Sequence, residues 1–201
     1  MSELTHGVIF DEEYTLLTPT NEKSYMRFDG WQDVEGKIVS STGNWTTDSD
    51  ISLTAKWTDT RATLTVSFVQ AGEEIATYTI KEGESITEIP TPATKVGYNV
   101  AWDRTDFTNI TENLIVTAVE TVKTYTVTIN ANGGSTEQTT ITVTYGEEYT
   151  LPTPTHPEKA FVCWMYNGEK IDKTGIWLID TEEEILTIVA KWGAKEWSNN
   201  Y

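Results

Sequence analysis

Short runs along this chain alternate apolar residues with threonine. Tyr125-Thr-Val-Thr-Ile129 and Thr140-Ile-Thr-Val-Thr-Tyr145 keep a period of two on either side of Asn132-Gly-Gly134. Successive side chains of a strand point to opposite faces, so this pattern around a glycine turn predicts a β-hairpin. The same arrangement occurs earlier, where Leu64-Thr-Val-Ser-Phe68 and Tyr78-Thr-Ile80 flank Ala71-Gly72. Prolines at 90, 92, 152, 154 and 157 interrupt the alternation. Proline has no backbone donor, so these stretches predict extended connections outside any central strand.

The pattern is also self-similar. IFDEEYTLLTPT, from Ile9 to Thr20, returns as TYGEEYTLPTPT, from Thr144 to Thr155. Landmarks follow in the same order: Phe28-Asp-Gly-Trp31 answers Phe161-Val-Cys-Trp164, Gly43-Asn-Trp45 answers Gly175-Ile-Trp177, and Leu53-Thr-Ala-Lys-Trp57 answers Ile188-Val-Ala-Lys-Trp192. A diverged copy lies between them, marked by Thr79 to Thr94, Gly97-Tyr98, Trp102 and Leu114-Ile-Val-Thr-Ala118. The expected organisation is a first repeat at 1–58, a second at 61–121, a third at 124–192 and a tail at 193–201. The linkers Thr58-Asp-Thr-Arg61 and Thr121-Val-Lys-Thr124 are short and lack glycine and proline, which predicts restricted motion between repeats.

The string YTVTINANGG, the later VTYGEEYTLPTPT, the aromatic-x-x-Trp and the closing AKW resemble the Listeria/Bacteroides repeat, also called the internalin-type B repeat. The resemblance implies a mainly β chain of tandem, small β-grasp-like repeat domains in an elongated array. It also implies a spacer or adhesion module displayed on a bacterial surface. In the second repeat Glu120 stands where the pattern ends in Trp.

Units of about 60 residues lie near the lower limit at which a core alone suffices, so large residues at recurring positions carry weight. Seven of the eight tryptophans supply them: Trp31, Trp102 and Trp164 share one position, Trp45 and Trp177 another, Trp57 and Trp192 a third. This recurrence is what a repeated core predicts. The 14 basic against 31 acidic residues give a formal charge of −17, which argues against a nucleic-acid partner and favours solubility. No stretch is long enough to insert in a membrane, and MSELTHGVIF lacks the basic-then-apolar form of a secretory signal.

Chemistry finds little footing. The two histidines, His6 and His156, have no Cys or His neighbour at ligand spacing. Asp48-Ser-Asp50 lacks the rest of a twelve-residue calcium loop, and Gly133-Gly134 is not followed by the Lys-Ser/Thr of a phosphate loop. Cys163 stands beside a core Trp and reads as a buried thiol. The expectation is no catalytic residue, no metal, no cofactor and no enzyme activity.

The start of the chain is anomalous. Aligning Val8-Ile-Phe10 with Val143-Thr-Tyr145 places residues 1–10 on the second strand of the first repeat, with nothing before them to supply the first. That predicts unpaired backbone beside Leu4, Val8 and Phe10 and beside Ile51, Leu53 and Trp57, a site for a strand from a neighbouring copy, another protein or the chain's own tail from Ala194 to Tyr201. If Met1 is the true start, the expected setting is a virion, with a capsid decoration or fibre protein anchored through its first repeat. Otherwise the chain is a segment of a secreted adhesin on a bacterial cell surface. The other class of function is a carbohydrate-binding module meeting a host glycan through Trp197, Tyr201 or Tyr166.

Overall fold

The computed structural model describes residues 5–195, and all regular structure among them is β. The chain divides into two compact units. The first takes the chain up to Leu64 together with Thr79–Glu84 and Asn109–Glu112; the second takes Thr65–Tyr78, Ser85–Thr108 and everything from Asn113 on.

The first unit contains β1 (Glu13–Thr15), β2 (Met26–Gln32), β3 (Ile38–Val39), β4 (Thr42–Asn44) and β5 (Thr54–Asp59). β1 and β4 form a two-stranded antiparallel ribbon, and a second sheet is ordered β3-β2-β5. A four-stranded sheet follows from β6 (Thr63–Gln70), β7 (Glu73–Lys81), β8 (Tyr98–Trp102) and β9 (Leu114–Val122), in the order β7-β6-β9-β8. Its first two strands are joined through Ala71 and Gly72, both at positive φ (53° and 86°). That conformation matches the right-handed twist of a tight hairpin.

The second unit also holds β10 (Thr124–Asn130), β11 (Thr140–Thr144), β12 (Glu148–Thr150), β13 (Lys159–Tyr166), β14 (Glu169–Ile171), β15 (Thr174–Ile176) and β16 (Ile185–Ala194). The predicted hairpin is β10–β11, in antiparallel register from Thr124 opposite Thr144 to Thr128 opposite Thr140. Five strands are ordered β11-β10-β16-β13-β14, and β12 with β15 makes a ribbon. The opening strand β10 lies parallel to the closing strand β16, Thr126 opposite Ile185 through Asn130 opposite Val189. β6 and β9 pair in the same parallel sense.

The recurring tryptophans have recurring partners. Trp31, Trp102 and Trp164 donate their indole N–H groups to the carbonyls of Leu17 (3.0 Å), Pro90 (2.6 Å) and Pro152 (3.0 Å). The proline segments stay out of the sheets, so their carbonyls remain available as acceptors. Trp45 and Trp177 meet Tyr14 and Tyr149 edge-on, at centroid distances of 5.1 and 5.2 Å. These contacts are made in the ribbons, where Tyr14 pairs with Gly43 and Tyr149 with Gly175. Gly43 has φ +144°, a conformation that L side chains rarely adopt, which is why a side-chain-free residue precedes the tryptophan by two. The quoted near-copies therefore encode the same ribbon and the same indole acceptor twice.

The core lies mostly in the second unit. Val127, Leu151, Trp164, Leu186 and Ile188 are fully buried there, as are Val66 and Phe68 in the four-stranded sheet. In the first unit the buried apolar residues are Trp45, Leu64 and Ile110. The difference tracks strand number, because among the described residues β5 has β2 on one side only, whereas its counterpart β16 lies between β10 and β13.

Trp164→Ala should lower the stability of the second unit by about 3–5 kcal/mol through the cavity it leaves. Trp164→Phe should cost about 1–3 kcal/mol, chiefly by leaving the Pro152 carbonyl unpaired. Urea unfolding read by site-resolved hydrogen exchange checks both, and a Trp164→Phe variant as stable as the native chain would show that the indole N–H contributes nothing.

Candidate functional site

A basic residue stands shortly before each complete opening strand: Arg61 before β6 and Lys123 before β10. Each organises a charged junction. In the first unit the Arg61 guanidinium lies 4.3 Å from the centre of the Tyr25 ring and donates to Asp59 Oδ2 (2.6 Å) and Glu84 Oε1 (2.9 Å). Glu84 turns back to accept the Lys81 N–H at 2.9 Å, and Gly83 and Ile110 are tied by a backbone bond of 2.7 Å. The hydrogen bonds from Arg61 hold the Asp59 carboxyl down at about 2.

In the second unit Asp180 is the hub. It accepts the Gly97 N–H (2.8 Å), the Lys123 ammonium (2.9 Å) and the Tyr125 hydroxyl (2.8 Å), and Lys123 also reaches Glu182 at 3.0 Å. The Gly97 amide is the first cause, with Lys123 and Tyr125 behind it, of an Asp180 carboxyl lowered to about 2. Burial and the Asp180 bond push the Tyr125 hydroxyl up, and Asp180 followed by Glu182 raises Lys123. Main-chain bonds from Lys123 N–H to the Gly97 carbonyl (2.8 Å) and from Tyr145 N–H to the Lys123 carbonyl (3.0 Å) complete the clasp. Gly97 has φ +78°, and a Cβ there would lie 2.0 Å from Tyr145 Cδ1, so only glycine allows this approach. The clasp joins Gly97 of the second repeat to residues of the third.

The residues singled out from the sequence are distributed differently from the expectation. Residues 5–9 form no strand and Phe10 sits in a turn, 59% exposed, with Val8 half-buried. The strand expected over residues 1–10 is therefore replaced, among the described residues, by an irregular lead-in. Asp11 N–H bonds to the Trp45 carbonyl and Glu12 N–H to the Ile9 carbonyl. These bonds turn the chain into β1 before any ladder forms. Leu4, Trp197 and Tyr201 lie outside the described residues. Tyr166, in β13, is half-buried.

Ile51, Leu53 and Trp57 do converge on β5 and its lead-in. Trp57 packs edge-on to Phe28 at 5.4 Å, as Trp192 packs on Phe161 at 5.8 Å. Leu53 and Ala55 are half-buried, and Ile51 is 39% exposed. Their counterparts Ile188, Ala190 and Leu186 are buried. Cys163 is buried, its Sγ 3.5 Å from Met165 Sδ. His156 accepts the Glu158 N–H and lies 5.2 Å from the Trp192 ring, a packing role. Among the described residues no three His, Cys, Asp or Glu side chains gather as a metal site.

Sequence reasoning singled out the two linkers and missed their partners. Asp180 follows Lys123 by 57 residues, and only its place three residues after Trp177, matching Asp48 after Trp45, marks it.

Gly97→Ala should loosen the clasp and speed exchange of the Lys123 and Tyr145 amides; unchanged exchange would show that the chain absorbs the added methyl group. Both carboxyls have folded pKa values below the usual aspartate value, so their stabilisation is present above about pH 4 and is lost as pH falls toward 2. The protection factor of the Gly97 amide, with the intrinsic pH dependence of amide exchange divided out, should fall as pH drops through that window for the native chain and stay flat there for Asp180→Asn.

Two relatives are similar to this chain in sequence. A protein named a putative membrane protein from Evansella cellulosilytica is 30% identical over 165 residues, 75% of this chain and 24% of its own length. A putative Gly-rich membrane protein from the same organism is 27% identical over 98% of this chain, again 24% of its own length. The chain thus spans about a quarter of each. The model of the Listeria-Bacteroides repeat domain matches residues 65–119 and 125–191. These segments make up more than half of the sequence and contain β10 to β16 almost in full, so the chain belongs to the Listeria-Bacteroides repeat family.

Proposed function

We propose that this chain is a non-enzymatic, structural or adhesive repeat segment of a protein displayed on a bacterial cell surface. The observation that carries the reading is the pair of charged junctions. The first sets Arg61 against Tyr25 of the first repeat and Glu84 of the second, and the other bonds Gly97 of the second repeat to Asp180 of the third. Family membership and the printed names of the two Evansella relatives support a surface setting. The acidic, threonine-rich exterior suits a hydrated outer layer, in which like charge keeps neighbouring molecules apart.

The alternative of a virion accessory protein differs in the particle that carries the chain, and one experiment separates the two. An antibody against the folded chain should label intact producing cells, and the label should disappear on brief protease treatment of those cells. Labelling confined to purified phage particles would select the virion reading, and labelling only after permeabilisation would overturn surface display altogether.

A further inference from the structure

We infer that a groove in the third repeat binds a carboxylated sugar, one hexuronate residue of an acidic polysaccharide. The groove has a volume of about 380 Å³ and lies where the ladder of β10 has ended at Asn130 and β16 runs on. That volume is in the range of small-ligand clefts. Met165 and Val189 stand opposite each other on β13 and β16 and form a half-buried apolar floor. Each alternates with buried core residues, Trp164 on one strand and Ile188 and Ala190 on the other, so the floor faces away from the core. Asn132, Lys159, Lys191 and Trp192 line the rest.

The charge of this lining runs against that of the chain. The sequence holds 31 acidic residues, and none of them lines the groove. Lys159 and Lys191 are exposed, and neither is in an ion pair among the described residues. Two uncompensated cations beside an apolar floor suit an anion that also carries a C–H surface, which a bare phosphate lacks. The ammonium groups are point charges for a carboxylate, and the C–H face of a pyranose ring covers Met165 and Val189. Asn132 donates its amide to the Ala190 carbonyl at 3.0 Å. That bond fixes the side chain and keeps its Oδ1 as an acceptor for a sugar hydroxyl. The Trp192 N–H is already given to the carbonyls of Ala131 (2.9 Å) and Asn132 (3.1 Å), so the indole supplies a wall and no hydrogen bond.

The second repeat shows that the fold does not demand these residues. Both hairpins turn through two residues at positive φ, Ala71 and Gly72 in one, Asn132 and Gly133 in the other. Trp102 opposes Ala118 as Trp164 opposes Ala190. In that register Ala71, Asp103, Thr117 and Val119 stand where the third repeat has Asn132, Met165, Val189 and Lys191. An acid and a threonine replace the apolar floor and the lysine of β16 is gone, so a sugar acid is repelled there. The inference concerns the third repeat alone and does not depend on where the protein is displayed.

The test titrates the full chain with trigalacturonate and follows its amide NMR shifts. Shifts at Asn132 and over 189–192 should move and saturate, while those over 64–69 stay still. Lys159→Gln and Lys191→Gln should each weaken binding about two- to fivefold, the scale of an exposed ion pair, and reduce its salt dependence. Met165→Asp, which installs the acid of the second repeat, should abolish binding with the remaining shifts kept. Three results would overturn the inference: no shifts at 132 and 189–192, equal shifts with a neutral galactose trisaccharide, or unchanged affinity when both lysines are replaced. Equal shifts with inorganic phosphate would leave an anion site without selectivity for a sugar and overturn the assignment of the ligand.

Discussion

The buried indole N–H of Trp164 finds its acceptor on a proline-marked segment that cannot join a sheet, whereas the buried N–H of Trp177 has no hydrogen-bond partner. The bond from Trp164 to the Pro152 carbonyl pins the connection between ribbon and sheet across the face of the core, and Trp102 with Pro90 repeats it in a diverged sequence. Much of the rest depends on this arrangement. With the connection pinned, Tyr149 is placed to pack against Trp177, and β13 is placed to flank β16. The Leu17 carbonyl serves Trp31 in the same way, although Pro19 lies two residues further on. The acceptor position is thus preserved where the proline itself is not.

What the sequence disclosed and what it hid divide along physical lines. Hairpins are local, so Thr alternating with Val and Ile around Asn132-Gly133-Gly134 was sufficient to place β10 and β11, and the mainly β class followed. Tryptophan recurrence identified core positions because burial acts on the same residue in every copy. The junctions were hidden, since Asp180 and Gly97 meet only through the fold, 83 residues apart. Residues 5–10 misled for the opposite reason. Their likeness to Val143-Thr-Tyr145 is real as text, but a strand is defined by its neighbour, and these residues have no ladder partner among the described residues.

The two junctions solve one problem with different chemistry. Arg61 uses a planar guanidinium that can stack on Tyr25 while donating to two carboxylates, so its cation is held by a ring as well as by charge. Lys123 is a point charge, and the directional work falls to Asp180, which gathers an amide, an ammonium and a phenol hydroxyl on one carboxylate. Neither junction relies on a large apolar contact, which suits a chain whose repeats already commit their large residues to their own cores.

The parallel pairing of opening and closing strands has a mechanical consequence. In the third repeat the start of β10 and the end of β16 lie at opposite ends of one ladder. Tension applied along the chain loads that ladder lengthwise, so its hydrogen bonds resist together instead of peeling apart one by one. The pairing of β6 with β9 gives the second repeat the same geometry. Among the described residues β5 pairs with β2 alone, so this shear geometry belongs to the second and third repeats.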